Sequence, residues 1–154
     1  MQNCRDLKAA GFNDLVSVNY SFNVIDETFD TIRQTVAYHR ELERIFGVDK
    51  VEPAIFFIGL QPHTHLEEYA LKKEILKPDY DPMSLMPWTA KKLLWNPEPL
   101  GSFFGEVCLQ AWRQNPDDFG REVLKILEAR LGKADLESAL TAPIETKKKV
   151  LTPA

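Results

Sequence analysis

The sequence predicts an α/β fold: a small parallel sheet, a partial (half) βα barrel in outline, with a C-terminal helical cap. Three observations predict it. Residues 15–24 (LVSVNYSFNV) alternate Val16, Val18, Tyr20, Phe22 and Val24 with Ser17, Asn19, Ser21 and Asn23. Successive strand side chains point to opposite faces, so this strand has one apolar face and one polar ladder. A long helical pattern leads from it to residues 54–60 (AIFFIGL), which are apolar on both faces like a buried parallel strand. Beyond Pro99 the periodicity is helical. In such a layer the apolar face of the first strand lies under helices, and the polar face points into a barrel interior or cleft where small molecules bind. The same ladder also fits the solvent face of an edge strand.

The elements follow in order. Residues 4–10 form a short helix that Gly11 ends. The second helix starts near Asp26 as N-cap, with Glu27 in its positive first turn, and stops at Gly47. Ile32, Val36, His39, Leu42 and Phe46 make its buried stripe. Residues 48–53 are a polar connection ending in Pro53. After the second strand, residues 61–66 (QPHTHL) lead into an amphipathic helix over about 65–76. Residues 77–99 hold Pro78, Pro82, Pro87, Pro97 and Pro99 with Trp88 and Trp95 among them. With Tyr80, Met83, Leu85, Met86, Leu93 and Leu94 also there, they read as an ordered strap packed over something, with a turn or two over 89–94. Helices follow over 100–114, short and aromatic, and 116–131, with Pro116 in its first turn, a stripe of Val123, Ile126, Leu127 and Leu131, and Gly132 at its end. The units are thus 1–76 (βαβα), 77–99 (strap), 100–140 (helices, the last a short one through Leu140) and 141–154, a tail too poor in apolar residues to order.

Composition excludes several classes. The chain has 154 residues, enough for one core, with 44% hydrophobic and 27% charged residues, as in ordinary globular domains. A net charge of −4 argues against a nucleic-acid surface, and the Lys147–Lys149 run is too short to change that. No apolar run reaches the roughly 18–20 residues that span a bilayer. The opening MQNCRDLKAAGF lacks the apolar core of a secretory leader, so the expectation is a cytoplasmic protein with no membrane partner. Cys4 and Cys108 are far apart and form neither a disulfide framework nor a CxxC pattern.

The segment VSVNYSFNVIDETFDTI with its helix, and then FFIGLQPHTHLEEYA, resemble the C-terminal part of the radical S-adenosylmethionine (SAM) enzymes, in particular the subgroup with a cobalamin-binding domain. In that family a barrel strand runs into a turn ending Gly-Glu-Thr, and Glu27 and Thr28 match its last two residues. A later strand runs into Pro-Gly-Thr-Pro-Leu, which Pro62, Thr64 and Leu66 match, and Glu68, Tyr69 and Ala70 continue the likeness. It covers residues 4–76, about half of the chain. The resemblance implies that Ser17, Asn19, Ser21 and Asn23 line the cofactor cleft and that Glu27 and Thr28 sit on its ligand-side turn, where Glu27 either accepts from an adenine or ribose or only complements the helix dipole.

Five family residues are replaced. Asn23 and Asp26 stand at turn glycines, His63 stands at a third glycine, and Ile25 and His65 stand at prolines. Glycines at such turns supply positive φ or close approach to a ligand, and Asn and Asp tolerate the left-handed region better than histidine. The family's CxxxCxxC motif is absent, and two scattered cysteines cannot hold a [4Fe–4S] cluster. The expectation is a C-terminal fragment or portion of a radical SAM protein, not catalytic by itself. SAM, the cluster and cobalamin belong to a full-length relative, and the partner is the missing N-terminal half or a second copy.

His63, Thr64 and His65 carry a different reading. An HxH after a buried strand is the spacing by which amidohydrolase-type enzymes hold a zinc-like ion, because extended residues i and i+2 share a face. Glu67, Glu68 and His39 are the only nearby or remaining donors, too few for a competent site, so the expectation is that His63 and His65 form an exposed turn opening a helix and hold no stoichiometric metal. A metal-dependent hydrolase and a non-catalytic binding protein on the same scaffold are therefore the alternatives to the radical SAM reading.

Overall fold

The computed structural model describes residues 1–81 and 94–132. Helix α1 (Gln2–Ala9) leads to strand β1 (Val16–Ser21), helix α2 (Phe29–Phe46) and a 3-10 turn (Val48–Lys50). Strand β2 (Val51–Phe56), short strand β3 (Ile58–Gly59) and helix α3 (His65–Lys72) come next. Strand β4 (Leu94–Trp95), helix α4 (Leu100–Gln114), a second 3-10 turn (Pro116–Asp118) and helix α5 (Phe119–Leu131) complete the order. β1 and β2 pair in parallel from Val16↔Val51 to Ser21↔Phe56, with α2 as the crossover. β3 and β4 pair antiparallel, Ile58 opposite Trp95 and Gly59 opposite Leu94. The protein is thus mixed α/β with a small parallel sheet, and the described residues close no barrel. No helix among them is long and apolar enough to cross a membrane.

The alternation of β1 decides which side of the sheet is covered. Tyr20 and Phe22 are buried against Ile32 and Val36 of α2 and against the helical layer of α4 and α5. Phe22 stacks on Phe104 with ring centroids 5.1 Å apart, a spacing that adds to the gain from burial alone. Leu42, Phe46 and Val51 form a second cluster, closed by Phe12 edge-on to Phe46. Leu60, Ala70, Leu76 and Trp95 form a third, which ties α3 to β3 and β4. The other face of the sheet is bare: Ser17, Asn19, Ser21, Glu52 and Phe56 are all exposed. Parallel sheets are normally covered on both faces.

α5 meets β2 at Gly120. A Cβ there would lie 1.9 Å from the Pro53 carbonyl oxygen, so only glycine lets the helix approach the strand this closely. The next residue holds the contact. Arg121 donates to Glu43 Oε1 of α2 at 3.1 Å and to the carbonyls of Val48 and Val51 at 3.0 and 3.1 Å. Arg40 links Glu43 to Glu128 of α5, at 2.7 and 2.9 Å. Inside this frame His39 is fully buried, its Nδ1 3.0 Å from the Tyr20 hydroxyl. Its Nε2 lies 3.3 Å from Glu43 Oε1 yet makes no aligned hydrogen bond.

Several expected boundaries move. The cap of α2 is Thr28, not Asp26: Thr28 and Thr31 form a reciprocal capping box, while Asp26 adopts φ +63°. The second strand runs from Val51 and includes Pro53, which was expected in the connection. β2 has β1 as its only described neighbour, and edge strands tolerate proline. The chain then breaks at Phe57, so residues 54–60 are not one buried strand, and Phe56 is 52% exposed. α3 ends at Lys72, and Leu76 reaches the core through a turn with Glu74 at φ +57°. Residues 116–118 form a 3-10 turn rather than the first α turn. Of the strap, Tyr80 and Trp95 pack into the third cluster, and Leu94 extends as a strand. Met83, Leu85, Met86, Trp88, Leu93, the helix through Leu140 and the tail over 141–154 lie outside the described residues.

Candidate functional site

β1 ends in a turn built on two left-handed residues, Asn23 at φ +60° and Asp26 at φ +63°. Asn23 is buried, and its side-chain amide N–H2 and both backbone polar groups are engaged. Its Nδ2 donates to Asn96 Oδ1 at 2.7 Å and to the Pro97 carbonyl at 2.9 Å. Its carbonyl accepts from Trp95 Nε1 at 2.7 Å. Its backbone N–H donates to Glu27 Oε2. This residue therefore fixes the turn to the segment between β4 and α4. That segment is itself tight, because a Cβ on Gly101 would lie 2.3 Å from the Asn96 carbonyl oxygen.

Between these segments lies a cleft of about 470 Å³. The turn over residues 23–29 forms one wall, Tyr69, Lys73 and Ile75 a second, and residues 95 and 97–100 the third. Val24, Ile25, Phe29 and Ile75 line it while 39–47% exposed, an uncommon concentration of accessible apolar surface around one concavity. Glu27 is its half-buried carboxylate. Burial pushes its pKa up, against the pull of the Asn23 and Val24 N–H groups, and no cation among the described residues pairs with it. Glu98 is held by Ser102 through Oγ and N–H, at 2.5 and 3.2 Å, which keeps its carboxyl below the usual range. Lys73 lies with its Nζ 5.8 Å from the Tyr69 ring centroid.

The residues singled out by sequence thus separate. Ser17, Asn19 and Ser21 stand on the bare face of the sheet, away from the cleft lining. Asn23, Glu27 and Thr28 line the cleft, Asn23 as a structural clasp and Thr28 as the cap of α2. His63 occupies an exposed turn at φ +63° and donates its N–H to Glu67 Oε2 at 2.7 Å. Thr64 caps α3, and His65 is its fully exposed first residue, with Nδ1 3.3 Å from Glu68 Oε2. The two histidines are therefore not i and i+2 of an extended strand. No group of three or more His, Cys, Asp or Glu among the described residues is placed to hold a metal ion. Cys4 lies on α1 and Cys108 on α4, where burial pushes the thiol up to about 11, so neither position builds a thiolate cluster. The [4Fe–4S] group does not fit this chain's own residues.

Sequence reasoning missed Phe29, Tyr69, Lys73, Ile75 and Glu98 as cleft residues. The one signal for them was the aromatic load of the strap, whose Trp95 does pack against Tyr69, with centroids 5.8 Å apart. No protein-family model, no curated protein and no solved structure matches this chain.

Proposed function

We propose that this chain is the C-terminal portion of a radical SAM protein, of the subgroup with a cobalamin-binding domain, and that it does not catalyse by itself. One observation carries the reading. Asn23, Asp26 and His63 stand where the resemblance has glycines, and these three are among only four non-glycine residues with positive φ in the described chain. The backbone thus has at those places the left-handed conformation that glycine serves. The bare face of the parallel sheet adds support: in a half barrel it is the interior side, and Ser17, Asn19 and Ser21 would face the cofactors once further strands close it. The cysteine-bearing half would supply the cluster, and SAM would bind between the halves, in the cytoplasm.

The test is to recover the chain anaerobically from its native host with any associated polypeptide and to read the coding sequence upstream. The expected result is a CxxxCxxC-bearing segment, in the same frame or as a bound partner, and a complex that holds iron, sulfide and SAM. A chain recovered alone, with no such segment upstream or bound, overturns the proposal. No observation favours the hydrolase reading, since His63 and His65 do not converge. A scaffold retained only for interaction shares the bare face, and the same experiment separates it by the absence of SAM and cluster from the complex.

A further inference from the structure

The cleft beside Glu27 has the build of a small-molecule site. Its volume of about 470 Å³ falls in the ~300–1,000 Å³ range of such sites, which are mostly apolar with a few fixed polar groups. Val24, Ile25, Phe29 and Ile75 present apolar surface to it, over a floor of buried Trp95. Its charge is lopsided among the described residues: Asp26, Glu27 and Glu98 are set against Lys73. Glu98 is already occupied by Ser102. Glu27 differs, because its carboxylate is held only by the backbone N–H groups of Asn23 and Val24, with no cation paired to it among the described residues. A half-buried carboxylate without a counter-charge costs free energy, which a cation of fitting shape restores.

We propose that this cleft binds a small organic cation, a primary ammonium carried on an aryl or branched aliphatic body. The ammonium meets the carboxylate of Glu27, and the body covers Ile25, Phe29 and Ile75. An ammonium–carboxylate contact is a charge-assisted hydrogen bond, the strong kind. An anion of the same shape is excluded by the three carboxylates, and a neutral isostere leaves Glu27 unpaired. The site stands on its own geometry, whether or not a second half barrel closes the sheet.

The experiment is calorimetry and ligand-observed NMR on the full chain, with 2-phenylethylamine as probe and 2-phenylethanol as the neutral control. Glu27→Gln keeps an acceptor for the Asn23 N–H, so the turn is retained while the charge is lost. The amine is expected to bind, with an affinity at least about ten-fold above that of the alcohol, and Glu27→Gln is expected to remove that difference. Acidification should weaken binding as Glu27 protonates. Ile75→Lys is a second variant at a half-exposed position; it adds a like charge at the mouth and should also abolish amine binding. Equal affinity for amine and alcohol, undiminished binding in Glu27→Gln or Ile75→Lys, or no amine binding up to about 10 mM each overturns the proposal.

Discussion

His39 shows how a single buried side chain couples this fold to pH. Burial lowers its pKa, opposed by Glu43, while Arg40 and Arg121 lower it further. Tyr20 faces it from β1, and Glu43 and Arg40 from α2; Arg121 faces it from α5. The folded pKa lies below the ordinary imidazole value of 6.5, so the unfolded chain binds the extra proton first. The stability contributed by neutral His39 is complete above that value and is lost as pH falls below it. Melting temperature should therefore fall between neutral pH and about pH 5 more steeply for the native chain than for His39→Gln; parallel curves would refute it. At Gly120 the prediction is steric. Gly120→Ala forces a Cβ onto the Pro53 carbonyl and should cost about 2–3 kcal/mol in urea unfolding. Asp26 tests the left-handed turn: Asp26→Ala should lose about 1 kcal/mol, whereas Asp26→Gly should lose none.

At the scale of elements, Arg121 joins three of them, donating to α2 and to the carbonyls that open β2. Arg121→Ala leaves Glu43, which is 6% exposed, with one arginine fewer and strips both carbonyls of their donor. The expected loss is about 3 kcal/mol by chemical denaturation, against near-neutrality for the exposed Lys125→Ala. Elements were unequally legible in the sequence. α4 was readable to the residue, because Pro99 precedes it and Asn115–Pro116 follows it. The stripe of α2 was also readable, since every member of the 3.6-residue pattern is buried. β2 was misplaced because Pro53 looks like a breaker, although an edge strand accepts it. The β3–β4 pair was invisible, as two-residue strands far apart in sequence leave no periodicity. The cleft was only partly legible for the same reason: Glu27 and Thr28 were found through a local motif, but its other walls come from α3 and from the approach to α4.

For the whole molecule, the parallel sheet has two strands among the described residues, with no further described strand at either edge and one face bare of described elements. Such edges recruit other strands. Sedimentation equilibrium should show concentration-dependent association of the isolated chain, which Asn19→Lys on the bare face should suppress; a clean monomer at high concentration would count against it. The polar ladder itself was fully legible as an alternation, but no local pattern states whether such a face meets water or a partner. The staple of Arg121 onto Val51 has a further consequence for synthesis. The two residues are 70 positions apart, so β1, α2 and β2 leave the ribosome well before α5 exists to cover them. At typical elongation rates that interval is roughly 4 to 14 seconds, during which Tyr20, Phe22 and Val36 await their lid. The nascent chain therefore passes through a defined window in which a chaperone has its own future core as substrate.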